Sequence, residues 1–256
     1  RLGELQSGAD NGVWARMFGG KLGGDEFTNK YKTYQLGYDA QAGEWRVGAA
    51  YEYSDGSLNY TSGSGENKIG AISLYGTLQG KDNSALDIVV KRGRIYGDMD
   101  IYGKYSDQGD YSTDATSIGV EYSKRFDGGN NVYFEPQAQL TFGRIDGYDY
   151  VSAKGIRVAY DDINSLIGRL GIVGGKAFSR GDVYVKASLL HEFSGDSSVT
   201  MLAANGESYM EDQDYGDTWL EVGIGGNITL GKNCELYGEV ERSFGGDVTK
   251  NWGANV

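Results

Sequence analysis

The feature that most constrains this chain is a period-two alternation of apolar and polar residues that recurs from one end to the other. Trp45, Val47, Ala49, Tyr51 and Tyr53 share one face of a segment, and Arg46, Gly48, Ala50 and Glu52 share the other. Ile72, Leu74, Gly76 and Leu78 oppose Ala71, Ser73, Tyr75 and Thr77. Ile118, Val120, Tyr122 and Phe126 oppose Gly119, Glu121, Ser123 and Arg125. Leu220, Val222, Ile224, Ile228 and Leu230 oppose Glu221, Gly223, Gly225, Asn227 and Thr229. Weaker versions occupy 13–21, 32–41, 85–94, 163–177, 183–193 and 233–244, and a partial one closes the chain at 250–256. Such spacing marks β-strands with a different solvent on each face. About twelve strands are predicted, each near or above the roughly 9–11 residues that cross a bilayer when tilted.

The connections add a second regularity. Short turns at 41–43, 80–83, 127–130, 179–182 and 231–233 alternate with the long polar stretches GGDEFTNK, SDGSLNYTSGSGEN, IYGDMDIYGKYSDQGDYST, IDGYDYVSAKGIRVAYDD and SGDSSVTMLAANGESYMEDQDYGD. In an antiparallel meander alternate connections share an end, so one end is tight and the other elaborate. Outer-membrane barrels have this asymmetry, whereas a Greek-key sandwich has no reason to keep it. Twelve strands and a long first connection put both chain ends on the tight, periplasmic side. Residues 1–12, opening RLGELQ, then read as the end of a linker whose helix lies in or near the lumen, or equally, from six residues alone, as a frayed terminus. Residues 13–256 read as a transmembrane up-and-down β-barrel with an incomplete last strand.

Composition excludes several alternatives. Among 256 residues there are 42 Gly and 20 Tyr but one Pro, one Cys and one His, which suits an all-β chain with many turns. Mean hydropathy is −0.47, and no run approaches the roughly 18 apolar residues of a spanning helix. A net charge of −12 argues against a nucleic-acid partner, since phosphate binding needs clustered Lys and Arg. Cys234 stands alone, with no disulfide partner and no metal set, and no cofactor is predicted. His191, in LLHEF, falls on the apolar face near one interface, with Glu192 on the opposite face, so no base is assembled for hydrolysis. The acidic run Glu211, Asp212, Asp214 and Asp217 lacks the spacing of a calcium loop and reads as a solvated outer loop. No catalytic or metal residue is predicted.

With the apolar faces toward lipid, the polar faces line the lumen. Trp45, Tyr53, Tyr75, Tyr133, Trp219 and Trp252 lie near strand ends, as interfacial girdles do. The single proline interrupts NVYFEPQAQLTF, where Phe134, Pro136, Ala138, Leu140 and Phe142 face lipid. A closed barrel offers no free edge to excuse it, so one inter-strand hydrogen bond is predicted to be missing or rearranged through a bulge.

The segments GVWARMFGGK, YQLGYDA, YFEPQAQLTFGRIDGYDY, IGRLGIVGGKAF, YVKASLLHEFSG, DTWLEVGIGGNITLGKNCELYGEVERSFGG and KNWGANV together resemble the β-barrel translocator domain of autotransporters, in order and over essentially the whole chain. The resemblance implies a twelve-stranded, monomeric outer-membrane barrel with a helix in its lumen, which anchors an upstream passenger and exports it to the cell surface. It implies outer-membrane lipid, the protein's own passenger, the barrel-assembly machinery and periplasmic chaperones as partners. It also implies that the natural chain continues past Val256 to a terminal Phe or Trp. Arg16, in VWAR, and Glu135, in FEPQ, match polar lumen positions of the family. Alternation adds Arg46, Glu52, Glu121, Arg125, Arg169, Glu221 and Glu239 as candidates to line the lumen or touch a passenger helix. Gly223 and Gly225, on the same face, would make room for that helix. The competing functions are an outer-membrane barrel protease, which needs an acidic and histidine site at the loop-side mouth, and a passive porin or adhesin.

Overall fold

The structure, a computed structural model, describes residues 11–256 apart from 25–26, 105, 204, 215 and 232–233. The expected lumen helix over 1–12 therefore lies outside the described residues, except that Asn11 and Gly12 already belong to the first strand. Seventeen strands are described, and twelve form one closed antiparallel wall. In chain order the wall is β1 (Asn11–Gly23), β2 (Phe27–Ala42), β3 (Trp45–Tyr60), β4 (Gly63–Gln79), β5 (Ser84–Ile101), β6 (Asp107–Lys124), β8 (Val132–Ile145), β11 (Ile163–Phe178), β12 (Gly181–Glu192), β15 (Thr218–Gly231), β16 (Cys234–Phe244) and β17 (Thr249–Asn255). Each pairs with its predecessor, and β17 closes the ring on β1, with Phe18 opposite Asn255 and Gly20 opposite Gly253. β7 (Phe126–Asp127) is a stub beside β8. β9 (Tyr148–Val151), β10 (Arg157–Tyr160), β13 (Ser197–Leu202) and β14 (Ser208–Gln213) form a separate four-stranded sheet from the two longest connections.

Several stretches predicted as long loops are strand instead. β3 runs to Tyr60 and β4 starts at Gly63, so SDGSLNYTSGSGEN is a hairpin of the wall, and β5 and β6 absorb most of the third long stretch. At about 3.3 Å per residue, the 18 residues of β5 reach about 60 Å, well beyond an apolar band of about 25 Å. Past the band both faces are polar, so alternation fades while backbone pairing continues. The tight end keeps its turns: at 43–44, Gly43 has φ 67°, a left-handed position suited to glycine.

Burial is inverted relative to a soluble protein. The exposed residues include Val13 at 71%, Leu170 at 66% and Leu74 at 62%, while Glu121 and Asp39 are fully buried. Apolar patches this extensive mark a membrane surface. The girdle expectation fails for three aromatics. Tyr75 and Tyr133 are buried in the lumen and Trp219 faces the same way, because each occupies the polar register of its strand. A Cβ on Gly48, directly across from Tyr75, would come within 2.3 Å of that ring. Glycine is the residue that lets it fold flat against the wall.

Pro136 faces lipid opposite Ile172 of β11. On its other side, pairing with β6 stops at Ser123–Gln137 and resumes as β7 at Phe126–Phe134 without a shift of register. The ladder is thus interrupted opposite Lys124 and Arg125, as expected of a missing bond, and the gap is spanned in register rather than by a bulge. The gap sits at the tight-turn end, where the N–H of Arg125 donates to the carbonyl of Asn83 on the far side, at 2.9 Å.

Candidate functional site: the polar lumen

The lumen wall is organised in three groups of charges. In the first, Arg169 of β11 lies in register with Gln139 of β8, which in turn faces Glu121 of β6. Arg169 donates to the Glu121 carboxylate at 2.9 Å, to the side-chain carbonyls of Gln137 and Gln139 at 3.1 Å each, and to the Ser188 hydroxyl at 3.1 Å. The Gln137 amide passes the connection on to Glu135, at 3.0 Å. One guanidinium fork thereby joins side chains from four neighbouring strands, a geometry lysine does not reproduce.

The second group lies on β1–β5. Arg46 pairs with Asp39 at 3.1 Å. Tyr75 donates to the same carboxylate at 2.9 Å, and Trp14 donates to the Tyr75 hydroxyl at 2.6 Å. Glu52 takes Lys91 at 2.8 Å and the Gln35 amide at 2.6 Å. The third group lies on β12 and β15–β17. Lys186 bridges Glu239 and Glu241, and Lys250 bridges Glu241 and Glu221. Tyr184 donates to Glu239 at 2.6 Å. Gly223 and Gly225 face Lys186 and Tyr184, whose atoms would lie 2.7 Å and 2.5 Å from an added Cβ. Directly beside these two glycines lie side chains of the wall itself.

Two of the expected residues sit at edges. Arg16 donates to Asn255 at 2.6 Å and so ties β1 to β17 at the closure. Arg125 lies beyond the end of β6, stacked 3.6 Å over the Tyr133 ring and bonded to Asp127 at 3.0 Å. It lines a cavity of about 440 Å³ at the tight-turn mouth, together with Asp87, Ser123 and Glu135. Alternation also puts Glu241 on the polar face, whereas Asp39, Lys91, Lys186 and Lys250 were not among the expected residues. Asp39 and Lys186 could have been found by parity, since they alternate with Tyr38 and Ala40, and with Val185 and Ala187.

The chemistry this supports is a hydrated passage whose charges are largely neutralised within the wall. Among the described residues no group of three or more His, Cys, Asp and Glu is arranged to hold a metal. His191 faces outward, 2.7 Å from Thr218 Oγ1 and edge-on to Phe193. Glu192 faces inward, where it accepts bonds from the Ser165 hydroxyl and the Leu166 N–H.

The family model of the autotransporter beta-domain matches residues 13–241. The chain belongs to the autotransporter β-domain family. It is 30% identical to the pertactin autotransporter of Bordetella parapertussis over 270 residues, covering 98% of this chain and 29% of that relative. The β-domain thus spans less than a third of the length of such curated relatives. Its fold matches the crystal structure of the β domain of the Bordetella autotransporter BrkA with a TM-score of 0.79, 24% identity, and coverage of 96% of this chain and 97% of that one. The translocator domain of NalP from Neisseria meningitidis gives the same TM-score at 11% identity, with 96% and 86% covered. This is an outer-membrane translocator barrel of Gram-negative bacteria.

Proposed function

We propose that this β-domain anchors a passenger and exports it to the cell surface, with the segment leading into β1 lying in the lumen. The carrying observation is where the strand begins. Asn11 pairs with Ala40, beside the tight turn at 43–44, so a segment leading into β1 enters at the short-turn, periplasmic mouth. In a closed wall it reaches the loop side only through the lumen. Residues 1–10 are read as the end of that linker, the strand starting at Asn11. Arg16, Arg46, Glu52, Glu121, Arg125, Glu135, Arg169, Glu221 and Glu239 form the polar surface along which it passes, and Gly223 and Gly225 keep that surface low by accommodating Lys186 and Tyr184. Passage needs no nucleotide in this reading; folding of the passenger outside draws it onward. The barrel acts as a monomer, inserted by the assembly machinery after delivery by periplasmic chaperones.

The test is site-specific cross-linking in a Cys234→Ser background. Cysteines placed at Gln6 and at the lumen-facing Ser73 or Ser188 are expected to cross-link in cells, whereas a cysteine at lipid-facing Leu74 is not. Equal cross-linking to inward and outward positions, or none to inward ones, would defeat the lumen path. A surface-exposed reporter lost on deletion of residues 1–10 would separate export from mere anchoring.

A further inference from the structure

We propose that the outward face of β2–β5, just past the apolar band on the loop side, binds the phosphorylated headgroup of an outer-leaflet glycolipid. The evidence is a change of chemistry along each strand. On β5 the outward Ile88 and Val90 give way to Arg92 and Arg94; on β4, Leu74 and Ile72 give way across Gly70 to Lys68; on β2, Leu36 and Tyr34 give way to Lys32. Carboxylates on β4 and β5 come only further out, at Glu66, Asp98 and Asp100. Five outward residues at the level where headgroup phosphates meet the edge of the oil are Lys32, Lys68, Arg92, Arg94 and the lone carboxylate Asp55, and Asp114 of β6 and Glu66 pair with Arg92, Arg94 and Lys68 at its margins, in a chain whose net charge is −12. At the tight-turn boundary the same strands present Ala42, Trp45, Leu78 and Ser84 instead, so the cations mark one leaflet only. On the far wall β11, β12 and β15 show Asn164, His191 and Thr218 at their loop-side ends, while Arg144 of β8, paired to Asp146 and Asp162, and Arg242 of β16, over the Phe244 ring, stand singly.

The register brings the cations together. Gly70 lies opposite Arg94, Ile72 opposite Arg92, and Lys68 opposite Asp55, which itself faces Lys32. The side chains of Arg92, Arg94 and Lys68 are 68%, 56% and 50% exposed. Asp114 lies 3.3 Å from Arg92 and 3.8 Å from Arg94, and Ser112 takes a bond from Arg94 at 3.3 Å. Such exposed pairs contribute little energy, but they set two guanidinium forks side by side, the arrangement that suits phosphate oxygens. Between the forks and Lys68, Gly70 leaves a shallow dimple in which an added Cβ would meet only the Tyr51 hydroxyl, at 3.6 Å. Below it Ile72, Leu74 and Val90 offer an apolar track for acyl chains, continuous with the lipid-facing band. A free phosphate would use the forks but not the track, and the track commits the site to a lipid. The inference rests on outer-membrane placement and is independent of passenger export.

The experiment uses protein extracted in detergent and stripped of lipid. The probes are an acylated glucosamine disaccharide carrying two phosphates, its dephosphorylated counterpart, and inorganic phosphate, with retention read by native mass spectrometry. The phosphorylated glycolipid is expected to bind at least about tenfold tighter than the dephosphorylated one. An R92Q/R94Q/K68Q variant should lose that preference, whereas K124Q, at the opposite boundary, should keep it. Equal retention of the two glycolipids, an unchanged preference in the triple variant, or full competition by equimolar inorganic phosphate would overturn the proposal. Should the triple variant fail to fold, the wild-type protein still decides: the preference must fall with rising salt, and a salt-independent preference overturns the site.

Discussion

The two sides of the lumen handle buried charge differently. Around Arg169 one guanidinium serves Glu121, Gln137, Gln139 and Ser188, and the Arg169 and Glu121 side chains are 10% and 0% exposed. At the seam Lys250 meets Glu221 and Glu241, and the Lys250–Glu241 pair keeps 19% and 21% of its side-chain surface exposed, while one step from the seam Glu239, held by Lys186, is 2% exposed. The ladders differ in the same sense. β8 and β11 pair without a shift from Val132 to Ile145, whereas β16 and β17 pair only over Glu239–Glu241 and the β1–β17 register shifts at Lys21/Leu22. Where the backbone ladder is long, the side chains form one dehydrated knot with fixed geometry. Where it is short, a wetter chain of point charges spans the seam. Desolvated pairs are unforgiving when one partner is lost, and hydrated ones are not.

The largest effect should come from breaking the knot on one side. Arg169→Met removes one half of a pair whose side chains are 10% and 0% exposed and should cost about 3–5 kcal/mol, read from the urea dependence of the folded, heat-modifiable form. Adding Glu121→Gln should recover much of that loss, because the buried carboxylate is then a neutral amide. A single-variant loss under about 1 kcal/mol would erase the contrast between the two sides. The seam should respond less. Lys250→Gln leaves Glu241 still paired to Lys186, so a loss of about 1 kcal/mol is expected, shrinking further in high salt. A salt-independent loss as large as that of Arg169→Met would show the seam to be as dry as the knot.

These residues were unequally legible. Parity alone placed Glu121, Arg169, Glu52 and Glu239 on the polar face, because an intact strand allows only two directions per side chain. Which of them meet was not legible, since pairing across strands depends on stagger, and Arg169 reaches Glu121 across Gln139. The extent of the wall was underestimated beyond the band, where β3, β4, β5 and β6 carry glycine and polar residues on both faces and the ladder runs on unsignalled. Tyr75 and Tyr133 were assigned by type rather than by register. Their lumen positions depend on Gly48 and Gly175 across the ladder, a pairing visible only once the strands are aligned.

A third environment sharpens the comparison, because its carboxylate is held mainly by neutral donors. Asp107, above the apolar band, is partly desolvated, which pushes its pKa up, but the Ser152 hydroxyl and the N–H groups of Gln108 and Lys154 outweigh that and hold it below the ordinary range. A lowered folded pKa contributes stability that is present above the unfolded value, near 4, and lost as pH falls through the folded one. The turn at 152–155 should therefore stay protease-resistant at neutral pH and open in acid. Asp107→Asn should open it at all pH values, at a cost of about 1 kcal/mol. Resistance that persists in acid in the wild-type protein would remove the carboxylate from the account.

The smallest effect concerns the ladder itself, and it carries the opposite sign. Pro136→Ala supplies an N–H opposite Lys124, where pairing between β6 and β8 now lapses without a change of register. Because Phe126 and Phe134 already stack at 4.8 Å on the far side of the gap, the strands need not move to close it. The new bond should add about 0.5–1 kcal/mol, measured as a higher urea midpoint with an unchanged slope. A destabilised variant would mean that the fixed φ of proline, rather than the missing donor, governs this edge, and that long ladders owe their regularity to local backbone restraint as well as to pairing.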